Sequence, residues 1–304
     1  MKFIKKIGFQ VVPSLIILTF IIFVLVYVAG DPVSMMLPES ATSADREVLR
    51  EALGLNEPFL VQYFQYLTNM IRGNFGTSLQ YQQPAMSLVL NRLVATLSLS
   101  LVSIGIGIVI SLPLGIVAAL KRNTWVDVLI SGFSILGKAM PNFWIGIMLI
   151  LFLAVRTPLF PVSGASTLQH YFLPSFTLGV ALAAEMTRLT RASILEVIEQ
   201  EYVQPARSKG QSEGIVILKH VFLNALIPVI TIISLQFPQL IGGAIVVETV
   251  FSWPGIGRLL LSAITNSDMM VIQAIVFVIA IITIAMNLIA DILYRVLDPR
   301  IKLN

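Results

Sequence analysis

VATLSLSLVSIGIGIVISLPLGIVAAL, running from Val94 to Leu120, is long and apolar enough to cross a bilayer as one helix, since a span takes roughly 20 consecutive apolar residues. Within it Ser103, Gly107, Ser111 and Gly115 recur every four residues. That spacing makes one helix face uniformly small, which lets another backbone approach closely in lipid. Five further stretches read the same way, near 8–29, 128–155, 173–193, 224–246 and 271–293. The 173–193 stretch is the least apolar, because Glu185, Arg188 and Arg191 crowd its C-terminal half. Composition agrees with the pattern. The chain is 57% hydrophobic and only 12% charged, about half the ~25% charge a soluble domain uses to cover its surface. The expected fold class is an all-α polytopic transmembrane bundle of about six spans.

The basic residues orient it. With the N-terminus inside, 13 of the 20 Lys and Arg fall on the inner side, among them Lys2, Lys5, Lys6, Lys121, Arg122, Arg191, Arg295, Arg300 and Lys302. Six fall outside, mostly in the long 31–93 segment, where the positive-inside rule weighs less. Both termini are expected inside. The first stretch follows three lysines like a secretory signal, yet its apolar run is too long and no small-residue cleavage site follows, so it reads as a retained helix. The expected organisation is an N-terminal helix (1–30), an external helical region (31–93), a core of five spans (94–294) containing a cytoplasmic loop (194–223), and a cytoplasmic tail (295–304). In the external region Ser43 reads as an N-cap ahead of Asp45 and Glu47. Tyr63, Phe64, Tyr66, Leu67 and Met70 recur at helical spacing, as on an amphipathic surface helix. Pro113, Pro141, Pro228 and Pro238 lie within spans and should kink them.

Several chemistries are excluded or disfavoured. No cysteine is present, so neither disulfides nor thiolate metal sites arise. The two histidines, His170 and His220, stand far apart and neither a zinc site nor a nucleophile–base pair forms around them. Gly132 to Ala139 nearly matches a phosphate-binding loop. It ends in Ala139 where a magnesium-binding hydroxyl is required, and it lies inside an apolar span rather than between strand and helix. The pI near 9.4 reflects the basic inner loops and does not indicate a nucleic-acid surface.

The informative loop is Glu201-Tyr202-Val203-Gln204-Pro205-Ala206-Arg207-Ser208-Lys209-Gly210, continuing to His220 and Asn224-Ala225-Leu226-Ile227-Pro228. Residues 194–204 read as a short helix, with Ala206 and Gly210 small enough for close approach and Gly210 able to end the helix at positive φ. A second helix, about 212–222, leads into the 224–246 span. On these grounds alone two readings stand open: a headgroup-lying amphipathic helix, or a docking surface for a partner.

This loop resembles the EAA loop of binding-protein-dependent ABC importer permeases, in the form found in the dipeptide, oligopeptide and nickel branch. Further resemblances follow in order: Gly30-Asp31-Pro32, Leu53 to Pro58, Gly73 to Ser78, Met140 to Trp144, Phe251 to Arg258, and Leu297 to Arg300. One departure is Pro205, where the branch has Thr or Ala; proline there should break or bend the loop helix just before Ala206. The resemblance implies a permease subunit without enzymatic activity. It implies no cofactor on this chain, ATP and Mg being held by partner ATPases. The implied partners are a second homologous permease subunit, two cytoplasmic ABC ATPases, an extracellular substrate-binding protein and the lipid bilayer of the bacterial inner membrane. It also implies that Glu201, Tyr202, Ala206, Arg207, Lys209 and Gly210 contact the ATPase, with Arg207 and Lys209 meeting its acidic groups. The implied substrates are di- or oligopeptides or a nickel-type chelate.

Lys138, Glu185 and Arg188 are the candidates for the translocation path or for intramembrane pairing, because ionisable groups inside a membrane are costly. Glu185 and Arg188 are spaced to pair on one helix face. Lys138 either lines a path for carboxylate-bearing solutes or snorkels to the headgroups, snorkelling or pairing being the preferred reading. The alternative function is an ion-coupled secondary transporter. That would require an internal repeat and mid-membrane acidic residues on broken helices; no repeat is evident. A membrane-embedded hydrolase would require a catalytic pair within the bundle, and none is visible.

Overall fold

The computed structural model describes residues 13–24, 33, 37, 40, 42–52 and 54–297. The Gly30-Asp31-Pro32 stretch, the ends of the 8–29 span and the tail from Asp298 lie outside the described residues. Eleven helices follow in order among the described residues, apart from a short 3₁₀ turn at Glu201–Val203. They are α1 (Pro13–Val24), α2 (Ser43–Ala52), α3 (Phe59–Ile71), α4 (Ala85–Leu120), α5 (Trp125–Ala139), α6 (Asn142–Arg156), α7 (Leu168–Ile198), α8 (Gln204–Ser208), α9 (Glu213–Val250), α10 (Ile256–Thr265) and α11 (Met269–Leu297). Among the described residues the one extended pairing is an isolated bridge between Thr77 and Pro84. Among the described residues three helices are long and apolar enough to cross a membrane: α4, α9 and, in α11, Met269–Leu293. α5 and α6 pass that test only when taken together.

The chain divides into two compact units. The first comprises Met1–Leu93 and Leu259–Ile284. Here the 31–93 segment forms the helices its sequence signals, with one correction. The α2 cap is Thr42, not Ser43: the Thr42 hydroxyl accepts from the Asp45 amide at 3.2 Å, and the Asp45 carboxylate accepts from the Thr42 amide at 3.0 Å. This reciprocal box needs an acid three residues after the cap, and Asp45 stands in that register with Thr42. The Thr42 hydroxyl, donating to the Asp45 carboxylate at 2.7 Å, and then the Thr42 amide hold the Asp45 carboxyl below its usual range. α2 stops at Gly54, whose φ of +68° lets Leu55 N–H reach back to Arg50 C=O at 2.9 Å, a closure that β-carbon sterics oppose in other residues. α3 then turns Tyr63 inward. Its hydroxyl lies 3.1 Å from Thr19 Oγ1, and the Phe20 ring stands edge-on to it at 5.3 Å. Phe64 faces outward. The Gly73–Ser78 stretch delivers Phe75 against Phe277 and Ser78 Oγ to the Asp268 carboxylate at 2.5 Å. Asp268 also accepts from Val271 N–H, so it ties this loop to the start of α11.

The second unit comprises Val94–Arg258 and Ala285–Asn304. α7 is its axis, packed by α9, α5 and α6. That position explains why α7 is not among the helices apolar enough to face lipid: its buried residues include Ser175, Thr177, Thr187, Thr190 and Ser193, and neighbouring helices cover them. The small face of α4 meets α7. A β-carbon at Gly107 would stand 3.2 Å from that of Leu182, and one at Gly115 would stand 2.5 Å from that of Thr190. On this basis Gly115→Val should destabilise the protein by about 1–3 kcal/mol, read as earlier thermal unfolding in detergent. Gly105, which has open space beside it, should tolerate Ala. Equal melting of Gly115→Val and wild type would contradict this packing.

The 128–155 stretch departs from a single kinked span. α5 and α6 meet at 102°, because Met140 and Pro141 are both extended, with ψ of 132° and 137°. Proline removes a donor and drives the residue before it out of the helical region. Pro113, Pro228 and Pro238, by contrast, lie inside continuous helices.

Candidate functional site

The loop singled out in the sequence is built on an apolar underside. α7 ends at Ile198, a 3₁₀ turn covers Glu201–Val203, and α8 follows directly. Val203 and Ala206 are buried together with Ile194, Val216, Val221, Ala225 and Ala119. Glu201, Tyr202, Lys209 and Gly210 are exposed. Gly210 has φ of +77° and closes α8 by donating to Arg207 C=O at 2.9 Å. His220 Nε2 sits 3.1 Å from Gln211 Oε1, and the Asn224 side-chain amide donates to His220 C=O at 2.8 Å. His220, on the first turns of α9, thus ties that helix back to Gln211 in the loop. Arg122 donates to Glu199 at 2.9 Å, tying the α4–α5 turn to the end of α7.

Within this loop Ala206 packs against its own chain and is 7% exposed. Arg207 has an acidic partner in the same loop, donating from Nε to Glu213 Oε1 at 2.8 Å and from Nη2 to Oε2 at 3.4 Å. One expectation needs correction. Pro205 neither breaks nor bends α8, because it occupies the first turn, where no intrahelical donor is required of it.

Of the intramembrane candidates, Lys138 and Glu185 come together. Lys138 Nζ donates to Glu185 Oε2 at 3.1 Å between α5 and α7. Arg188 is exposed one turn further on, and no ion pair joins it to Glu185 among the described residues. The pair borders a cavity of about 190 Å³ that the sequence did not announce. Asn142, Gln236 and Gln239 add side-chain amides to its wall, and Leu178, Leu182 and Leu240 add apolar surface. Gln236 and Gln239 lie three apart on α9, hence on one face. Asn142 reaches the cavity because the break at Met140–Pro141 turns α6 across it.

Two polar clusters were missed. Asp127, 7% exposed at its side chain, accepts a forked pair from Arg191 at 2.7 and 2.8 Å and also accepts from Asn123 N–H at 3.0 Å. The spacing Thr124-x-x-Asp127 was the available signal. Glu248 is fully buried. Its carboxylate accepts from Thr96 Oγ1 at 2.6 Å and from the amides of Gly257 and Arg258 at 2.8 and 3.0 Å. The Phe251–Arg258 stretch is anchored in the bundle: Trp253 is wholly buried, donates to Ala95 C=O at 3.0 Å and stands edge-on to Tyr171.

No three His, Asp or Glu side chains gather as a metal site would need among the described residues. His170 accepts at Nδ1 from the Thr167 amide at 3.3 Å and so caps α7. The arrangement offers an exposed loop on an apolar base and a polar cavity between helices.

Known proteins match this arrangement. Residues 111–303 match the family described as binding-protein-dependent transport system inner membrane component, and residues 1–100 match its N-terminal companion. The oligopeptide transport system permease protein AppB of Bacillus subtilis is 42% identical over 303 residues, covering 96% of each chain. The glutathione transport system permease protein GsiC of Escherichia coli K12 is 39% identical, covering 96% of this chain and 95% of its own. Among solved structures, an inward-facing MetNI methionine ABC transporter superposes with a TM-score of 0.61 at 20% identity, over 70% of this chain and 97% of its own; at that identity the likeness speaks for the fold. The chain belongs to the family of binding-protein-dependent transport system inner membrane components, the permeases of ABC importers.

Proposed function

We propose that this permease forms half of a translocation path for short peptides. It would do so beside a second homologous permease subunit, above two cytoplasmic ATPases and beneath an extracellular binding protein. Both termini would lie inside and the 31–93 region outside. ATP and Mg would bind the ATPases, and this chain would transmit their motion without bond chemistry of its own. The peptide class follows the relatives, which are permeases for oligopeptides and for glutathione, itself a peptide. The observation that carries the coupling role is the two-sided loop: Val203 and Ala206 are sunk into the bundle while Glu201, Tyr202, Lys209 and Gly210 project from it. A surface helix rooted this way moves with α7 and α9 as one piece, so force applied to its exposed side reaches the bundle. Arg207, held by Glu213, is assigned to shaping the loop.

Gly210 tests this reading. A β-carbon there meets nothing within 4 Å of its own chain, so a side chain costs only the strain of positive φ, roughly 1 kcal/mol. Asn tolerates that conformation better than other residues. Gly210→Gln should lower both ATPase association and peptide uptake, by about tenfold for a loss of ~1.4 kcal/mol at the contact. Gly210→Asn should be milder. Co-purification of the ATPases and uptake into proteoliposomes are the measurements. Normal values for Gly210→Gln in both would remove the coupling role.

A further inference from the structure

The cavity between α5, α6, α7 and α9 is chemically unusual for a helical bundle in lipid. Such interiors pack through small and apolar residues, and a charged or amide group inside them is expensive unless it serves a purpose. Here one ammonium, one carboxylate and three side-chain amides converge. Lys138 and Glu185 hold each other at 3.1 Å yet remain 56% and 40% exposed. Asn142 and Gln239 are open to the cavity side, and Gln236 is 9% exposed. Among the described residues no protein group takes the amides of Asn142, Gln236 or Gln239, whereas the two buried carboxylates, Glu248 and Asp127, are closed by hydrogen bonds to protein. A satisfied structural network uses up its donors and acceptors. This one leaves them available.

We infer that this cavity is a transient contact site for a zwitterionic peptide, with Lys138 receiving the terminal carboxylate, Glu185 the terminal ammonium, and Asn142, Gln236 and Gln239 the peptide bonds. The chemistry is complementary at each point. Each peptide terminus carries the charge of one member of the Lys138–Glu185 pair, so a chain end entering the cavity can take that member's place opposite its partner. A side-chain amide offers one acceptor and a donor group, the mirror of a peptide N–H and C=O, and so reads backbone without reading side chains. The volume, about 190 Å³, is below the ~300 Å³ at which pockets begin to enclose a drug-sized ligand. It fits a chain end or one residue at a time. Weak, partial contact is what transport needs, since a solute must leave each site it enters. The assignment rests on the peptide reading above and adds the groups on the solute that this chain recognises.

The test uses the assembled transporter in proteoliposomes. Uptake of an unmodified tripeptide is compared with uptake of its C-amidated and N-acetylated forms. The binding protein is common to wild type and variants, so its own preference cancels when the uptake ratios are compared between them. Lys138→Met should shrink the preference for free acid over amide by about tenfold, the value of one charge-assisted hydrogen bond worth ~1.4 kcal/mol. Lys138→Arg should retain it. Glu185→Gln should shrink the preference for free amine over acetylated amine to a similar degree. The double variant Lys138→Met/Glu185→Gln removes both charges together, leaves no unpaired ion to hinder assembly, and should lose both preferences. Ratios that stay at wild-type values, whether or not total uptake falls, would reduce the pair to a structural tie and overturn the assignment alone. A wild-type complex that takes up no peptide would overturn the peptide reading and the assignment with it.

Discussion

Glu248→Ala should be the most destabilising single substitution in the second unit, on the order of 3–5 kcal/mol. Glu248 is fully buried and serves three donors: the Thr96 hydroxyl at 2.6 Å, Gly257 N–H at 2.8 Å and Arg258 N–H at 3.0 Å. Thr96 in turn accepts from Ile256 N–H at 2.9 Å. The amides of Ile256, Gly257 and Arg258 at the start of α10, which have no partner within their own helix, are thus supplied from this one cluster. Alanine would strand the Gly257 and Arg258 amides and the Thr96 hydroxyl where water does not reach, and each buried unpaired donor costs about 1–3 kcal/mol. Glu248→Gln keeps the shape and one acceptor but turns an amide N–H₂ toward donors, so it should fall between wild type and alanine. The same site explains the glycines of the Phe251–Arg258 stretch. A β-carbon at Gly255 would overlap the Glu248 carboxylate, and one at Gly257 would stand 2.5 Å from the Ile245 Cα. Backbone cannot move aside as a side-chain end can, so Gly257→Ala should be nearly as damaging as Glu248→Ala. Thermal unfolding in nanodiscs measures the first effect, and limited proteolysis across 251–258 localises it. A Glu248→Ala protein that melts with wild type and resists cleavage would refute the cluster's role.

Arg191→Ala is the second large effect, about 3–5 kcal/mol for breaking a largely buried ion pair from one side. The asymmetry of the pair sets the ranking of variants. Asp127 is 7% exposed at its side chain and Arg191 is 28% exposed. Removing Arg191 leaves the carboxylate inside with only the Asn123 amide and the Ser131 hydroxyl to solvate it. Removing Asp127 leaves a guanidinium that can swing toward solvent, so Asp127→Asn should cost less, roughly 1–2 kcal/mol. Arg191→Lys should rescue poorly, because an ammonium cannot reproduce the two parallel bonds at 2.7 and 2.8 Å that a guanidinium makes. Asp127→Ala combined with Arg191→Ala should cost less than the two single losses added together. A double-mutant cycle on unfolding free energies decides the matter, and strict additivity would dissolve the pair. The consequence is mechanical: Asp127 sits in the first turn of α5 and Arg191 near the end of α7, so the pair locks the α4–α5 turn to the helix that runs into the exposed loop.

The parts of this protein that were legible in the sequence are those governed by local rules. The small face at Ser103, Gly107, Ser111 and Gly115 was readable from its four-residue spacing, and in the structure it is where α4 approaches α7. The close of the loop helix at Gly210 follows from positive-φ tolerance, but its extent does not: residues 194–198 belong to α7, the short helix is α8 (Gln204–Ser208), and the expected 212–222 helix is the start of α9 itself. Thr42 was mistaken for a residue outside the cap because Ser43 is an equally good cap residue by type; only the register with Asp45 separates them. Pro205 was read as a breaker because its position within a helical turn is not visible until the turn itself is placed. Ala206 could be recognised as small, but not as facing inward.

What the sequence determined by itself is the membrane-embedded, all-helical class and the family. Long apolar runs cannot be solvated by water, every backbone polar group in lipid must be satisfied within its own helix, and motifs retain their order along the chain. What only the tertiary structure decided is which distant side chains meet. Lys138 joins Glu185 across 47 positions, Arg191 joins Asp127 across 64, and Thr96 joins Glu248 across 152. Helical periodicity carries information over a turn or two, whereas these contacts depend on how whole helices cross. The 102° turn at Met140–Pro141 is what carries Asn142 to the wall that Gln236 and Gln239 share, and so makes a polar cavity out of residues that are unremarkable one at a time.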